Sequence, residues 1–281
     1  IQMKKQECRN ILGSIIQHSK NLQESITMGR LPDFLICGFQ KCGTSALSIN
    51  LNQNPNIFIA KTDHPMCKTS HGKELNFFTS SKLKSSTNIL GVDWYKSHFI
   101  CNVDQKCGEI SPSYSNYPGE VINNIKNYSK TFKFVFAIRN PIYRAYSAFN
   151  HFNQQISESR NWGTWSPGDN LIYNHENFYT FKCNYIRVIK EYCDAFGREN
   201  ISILIQENLV DDKKYQNEYN KFFDFIDVEH CTIKNEKHHA RKYKKMISNE
   251  EVEYLKDYYT DDVNKLFDFL GYKIQEWEEF C

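Results

Sequence analysis

The hydrophobic positions of this chain fall into short unbroken runs separated by longer amphipathic stretches. Asp33–Cys37 (DFLIC) is apolar after its aspartate, NIFIA follows at 56–60, and Ile201–Ile205 is apolar apart from one serine. Thr131–Ile138 (TFKFVFAI) is the strongest of these runs. Runs of this length that do not alternate with polar residues are expected of parallel strands covered on both faces. Helical periodicity marks Thr44–Gln53, Gly91–Phe99, Pro118–Tyr128, the stretch after Arg139, Tyr173–Phe196, Lys213–Asp227 and Asn249–Leu270. The turn cluster NQNPN stops the first of these, and Pro118 opens the third. Residues 61–73 and 157–172 read as loops, and KELNFF at 73–78 as a short extended piece. Strands alternating with helices predict one α/β domain over 31–281, a central parallel sheet flanked by helices. Residues 1–30 form a polar, partly helical lead-in.

Composition changes this picture little. With 281 residues the chain is long enough for one sizeable core. A net charge of +2 argues against a nucleic-acid partner, so any anion site must be local. No run is long and apolar enough to span a membrane. The chain opens IQMKKQE, with neither an initiator Met nor a signal-peptide pattern, so an upstream targeting or anchor segment would not be visible. Ten cysteines include no CxxC, which argues against zinc. Their spread fits either several disulfides in an oxidising lumen or reduced, partly buried thiols. Glycosylation sequons stand at Asn127 and Asn200, a number an Asn-rich chain produces by chance.

The chemistry begins at GFQKCGTSA, 38–46, between the first strand and the first helix. A strand, a glycine loop and a helix N-terminus make an anion pocket, because loop amides point inward and the helix end carries partial positive charge. Gly38 and Gly43 permit close backbone approach, and Thr44 and Ser45 add hydroxyls. The outer glycines match the nucleotide-triphosphatase spacing G-x-x-x-x-G-K-[ST], but Thr44 stands where the lysine belongs and Lys41 lies inside the loop. That argues against an ATPase or kinase. The second site is FVFAIRNPIYRAYSAFNHF, where a strand ends at Arg139 and Pro141 opens a helix carrying Ser147. An arginine fork and a serine hydroxyl suit a second phosphate.

Both stretches resemble signatures of the sulfotransferase family. The first is similar to its 5′-phosphosulfate loop, G-x-x-K-x-G-T; the second, RNPIYRAYS, is similar to its 3′-phosphate motif, R-[ND]-P-x-x-R-A-x-S. The chain from about Pro32 onward resembles the heparan-sulfate, Golgi-type branch. KELNFF resembles K-E-x-x-F-F, GEISPSY resembles E-K-T-P-x-Y, IQENLVDD resembles a strand-end E-x-L, and the stretch from Glu236 to Tyr272 resembles the C-terminal loop and helix. The resemblance implies a P-loop-like sulfotransferase fold and 3′-phosphoadenosine 5′-phosphosulfate (PAPS) as donor, leaving the bisphosphate product PAP, with no metal required. It implies donor contacts from Gly38, Gln40, Lys41, Cys42, Gly43, Thr44, Ser45, Ala46, Arg139 and Ser147, and from Arg241 and Lys242 at the 3′-phosphate rim. Glu74 is the implied base and Lys41 the cation at the leaving oxygen. His71, close to Glu74 in the chain, is a candidate acceptor contact, as are Glu109 and Ser111; orienting Lys41 or acting as a second carboxylate are the other roles open to Glu109.

A glycan acceptor in the Golgi lumen or secretory pathway is the implied setting, with a cytoplasmic enzyme as the alternative. Ile110 departs from the pattern, standing where the family has a lysine, and Arg241-Lys242-Tyr243 only approximates K-G-R. The loss at Ile110 leaves room for a non-catalytic nucleotide- or glycan-binding relative. The same chemistry on a small-molecule alcohol or a protein tyrosine is the other alternative. An open basic cleft favours a glycan, and a closed apolar pocket a small molecule.

Overall fold

All four apolar runs form strands: β1 (Phe34–Gly38), β2 (Ile57–Ile59), β4 (Lys133–Ile138) and β5 (Ile201–Ile205). A fifth, β3 (Lys106–Ile110), was not expected from the pattern. The computed structural model describes residues 29–70, 74–79, 86–129, 131–157, 171–172, 175, 184–236 and 246–281. The sheet has the order β2-β3-β1-β4-β5, and every neighbouring pair is parallel. β3 reads KCGEI, and its glycine and charged residue hide it from a strand search. Both have a reason. A side chain at Gly108 would lie 2.2 Å from the Phe34 ring of the adjacent strand, and Glu109 has buried partners described below.

The helices among the described residues include α1 (Thr44–Leu51), α2 (Gly91–Lys96), α3 (Pro118–Lys126), α4 (Pro141–Ser157), α5 (Tyr185–Phe196), α6 (Gln206–Val210), α7 (Tyr215–Ile226) and α8 (Asn249–Leu270). The expected helix Tyr173–Phe196 starts at Tyr185 in α5, where the Asn184 side chain accepts the Arg187 amide. Its earlier part lies largely outside the described residues. Residues 65–70, expected as loop, form a 3-10 turn. KELNFF joins no sheet; its described part, from Glu74 onward, is an irregular segment and a turn.

Side chains alternate across the sheet and build a core on each face. Phe34, Ile36, Ile110, Val135 and Leu204 face Leu47 and Leu51 of α1 and Phe222 and Phe223 of α7. Leu35, Cys37, Phe134 and Phe136 face the other way, toward Ile189 and Tyr192 of α5 and Leu255 and Tyr259 of α8. A capping box at Ser248 and Glu251 starts α8, and Gly271, at φ 78°, ends it.

Among the described residues one disulfide forms, Cys101–Cys107, tying the approach of β3 to the strand itself. Cys37, Cys42, Cys193, Cys231 and Cys281 are free thiols, so the cysteine-rich composition does not translate into a disulfide framework there.

Candidate active site

The loops that leave β1, β3, β4 and β5 open at the C-terminal ends of their strands, the edge where parallel α/β sheets bind ligands. A cavity of about 490 Å³ between Leu31, Lys106, Phe132 and Lys133 lies at the opposite edge, where these strands begin.

The loop after β1 turns on two left-handed residues, Lys41 (φ 70°) and Gly43 (φ 80°). Gly43 supplies that conformation freely. Lys41 does not, and non-glycine residues held there concentrate at functional sites. Gly38 is required for another reason: a Cβ would lie 2.9 Å from that of Ser115, on the turn that follows β3. Thr44 opens α1, whose first amides have no partners within the helix. The Cys42 amide is spent inside the loop, on the Phe39 carbonyl at 3.2 Å. Its thiol is buried against the Tyr185 hydroxyl at 3.5 Å and burial pushes its pKa up to about 11, so it is no nucleophile.

β1 and β4 are neighbours, and the Phe39 amide continues the ladder to Ala137 at 2.8 Å. Arg139, at the end of β4, thereby reaches the first loop. Its Nη1 donates to the Lys41 carbonyl at 3.5 Å, and Arg144 Nε donates to the Gln40 carbonyl at 3.3 Å. The sequence placed these motifs about a hundred residues apart; the sheet puts them side by side. Ser147 is buried two turns into α4.

The turn between β4 and α4 is fixed from behind. The Glu207 carboxylate accepts the Asn140 amide at 2.9 Å and the Trp277 indole N–H at 3.1 Å. Burial raises its pKa, and these donors oppose the rise. Glu279 accepts from the Asn140 side chain at 2.8 Å. The Tyr185 hydroxyl donates to the Arg139 carbonyl at 2.7 Å and receives the Arg139 amide at 3.3 Å. Arg144, Tyr185 and Glu279 carried no assigned role in the sequence. Only Arg144 lay within a motif, and nothing local marks the other two.

Glu74 lies half-buried at the start of a segment that packs over the end of β3. The Asn76 amide donates to Ser111 Oγ at 3.1 Å, and the Phe78 amide to the Tyr114 hydroxyl at 3.2 Å. Since β3 is the other neighbour of β1, the segment bearing Glu74 and the loop bearing Lys41 belong to adjacent strand ends. Glu109 and Ser111 depart from expectation. Both were expected to touch an acceptor, yet both are 0% exposed and bonded to protein. Glu109 accepts the Tyr95 and Tyr114 hydroxyls, each at 2.6 Å, and Ser111 Oγ at 2.9 Å. Ile110 points to the opposite face, into the core with Leu47 and Leu51. His71, Arg241 and Lys242 lie outside the described residues. Among the described residues no group of acidic, histidine or cysteine side chains is placed to hold a metal.

Residues 31–280 match the sulfotransferase domain family. This chain belongs to that family. No curated protein matches the sulfotransferase in sequence. Its fold is similar to that of a sulfotransferase from Alicyclobacillus acidocaldarius, with a TM-score of 0.67 at 22% identity over 89% of this chain and 99% of the other. The sulfotransferase domain of the curacin biosynthetic pathway aligns with a TM-score of 0.47 at 16% identity, over 71% of this chain and 75% of that domain. The corresponding domain of an olefin synthase from Synechococcus PCC 7002 gives 0.45 at 13%, over 82% and 95%. No helix among the described residues is long and apolar enough to cross a membrane.

Proposed function

We propose that this sulfotransferase moves the sulfuryl group of PAPS to a hydroxyl or amine of a carbohydrate, with Glu74 as the base. The observation that carries the reading is the pair of braces, Arg139 to Lys41 and Arg144 to Gln40. They join a loop suited to a 5′-phosphosulfate to a strand end suited to a 3′-phosphate. A nucleotide phosphorylated at both positions fits two such corners, whereas ATP or ADP leaves one of them idle.

PAPS supplies a sulfuryl group already activated by a phosphate leaving group. The protein's share is positioning and electrostatics. Thr44, Ser45 and the first amides of α1 hold the phosphate at the 5′ end, and Arg139 and Ser147 the 3′-phosphate. Lys41 offsets charge on the oxygen that departs as the sulfur–oxygen bond breaks. Glu74 takes the acceptor's proton as the acceptor atom bonds to sulfur. No step in this scheme calls for a metal ion. The glycan assignment is supported by the likeness of KELNFF to the carbohydrate branch and by a carboxylate, rather than histidine, base. The Cys101–Cys107 bond supports an oxidising compartment such as the Golgi lumen.

Calorimetry with PAP and ADP tests the donor site: PAP binds more tightly, and equal affinities would discard the two-corner reading. Labelled PAPS incubated with a mixed glycan pool and with a panel of steroid-like and phenolic alcohols tests the acceptor. Label in the glycan fraction is expected; label confined to the small alcohols would reassign the acceptor.

A further inference from the structure

We propose that Glu109 is a positioning residue for Glu74, acting from beneath the segment rather than on the acceptor. The inference rests on the reading of Glu74 as the base.

Residues 74–79 belong to no helix or strand, so most of their backbone bonding must come from side chains. The Leu75 carbonyl accepts the Thr87 hydroxyl at 2.7 Å. The Phe77 carbonyl accepts Asn88 Nδ2 at 3.4 Å, and the Phe78 carbonyl Asn124 Nδ2 at 3.1 Å. Asn76 sits at φ 56°, with its side-chain oxygen accepting Ser113 Oγ at 2.5 Å. Ser113 also meets the Thr79 hydroxyl at 2.7 Å. These bonds hold the flanks.

The centre of the segment is held through one carboxylate. Glu109 accepts the Ser111 and Tyr114 hydroxyls, at 2.9 and 2.6 Å. Through Ser111 Oγ it reaches the Asn76 amide, and through the Tyr114 hydroxyl the Phe78 amide. Two amides of the segment thus hang on one buried side chain, each through a hydroxyl. Tyr95 Oη fixes that side chain from α2. Burial raises the Glu109 pKa, and the three hydroxyls and the Leu75 amide oppose the rise. Such a network is costly if half satisfied and rigid if complete. Rigidity is what a general base needs, since small misplacements cost large factors in rate. The strand spends a charged residue at a position facing the core, where an apolar one would pack more cheaply.

The test is a double-mutant cycle on the full chain, reading turnover, acceptor KM, PAP affinity and melting temperature. Glu109→Gln is expected to lower kcat at least tenfold while PAP affinity stays within about twofold. Measured on the residual turnover of Glu74→Gln, the same substitution costs little more, because the group it positions is already gone. If Glu74→Gln is inactive but Glu109→Gln keeps full kcat, or its loss simply adds to that of Glu74→Gln, the positioning role is wrong and the base assignment stands. If Glu74→Gln turns over normally, the base assignment fails and the positioning role fails with it. Should Glu109→Gln not fold, Tyr95→Phe removes one of the bonds at nearly constant shape. It should lower kcat severalfold at unchanged PAP affinity, and an unchanged kcat would overturn the proposal.

Discussion

The two halves of the active edge are built by opposite means. On the donor side, after β1 and β4, the proposed working groups are backbone amides and permanent cations carried by contiguous motifs, and Arg139 after β4 and Arg144 on α4 brace the loop after β1. On the acceptor side, after β3, the proposed base rides on an irregular segment held by hydroxyls, carboxamides and one buried carboxylate from distant parts of the chain. The donor half, as proposed, has a fixed ligand to recognise and can be built from short, repeatable turns. The acceptor half must place one carboxylate accurately, and its support is a network of individually weak bonds. The comparison predicts that donor-side substitutions change binding and acceptor-side substitutions change turnover.

The sharpest break in that division is Glu74→Gln. Loss of a general base costs roughly 10²–10⁴-fold in rate, so transfer of labelled sulfate should nearly vanish while calorimetric PAP affinity is retained. Undiminished transfer would remove Glu74 from the mechanism. Arg139→Ala should do the reverse, weakening PAP binding by about 2 kcal/mol or more, the scale of a charge-assisted hydrogen bond. ADP affinity, which draws little on that corner, should change far less. An unaltered PAP affinity would make Arg139 a structural brace only.

Tyr185→Phe sharpens the comparison within the donor half. It removes the hydroxyl shared by the Arg139 backbone and Cys42. PAP affinity should fall by about 1 kcal/mol, the net worth of a typical hydrogen bond, with acceptor KM unchanged. A shift in acceptor KM alone would place Tyr185 on the wrong side of the division.

The smallest effect is on stability. The Asp262 carboxyl, on α8, has its pKa raised to about 6, chiefly by burial. A carboxyl whose folded pKa lies above its unfolded one binds more protons when folded. Its contribution is therefore full at low pH and is lost as pH rises through about 6. Melting curves between pH 4 and 7 should show this loss, superimposed on the titration of other groups, and Asp262→Asn should remove it. Equal pH dependence in both proteins would show that Asp262 titrates normally.

The acceptor half also explains what was hard to read. GEISPSY resembles a family string, and in it Glu109 and Ser111 read as acceptor contacts, because a charged residue and a hydroxyl look like ligands when their partners are unknown. Tyr95 and Tyr114 lie on either side of Glu109 in the chain, and no spacing rule marks their convergence. Likewise Cys101 and Cys107 were two of ten cysteines with no spacing that selected them.

The amino-acid sequence alone determined the alternating α/β order, four of the strands and the two turns proposed to bind anions. Each depends on residues within a few positions of one another, and local backbone geometry leaves a local imprint. Only the tertiary structure decided that KCGEI is a strand, that Ile110 faces the opposite side of the sheet from Glu109 and that Glu109 is buried against Tyr95, Ser111 and Tyr114. Those outcomes are set by which side chains meet across the sheet, and a buried charge becomes tolerable only once its hydrogen-bond partners have arrived from elsewhere in the fold.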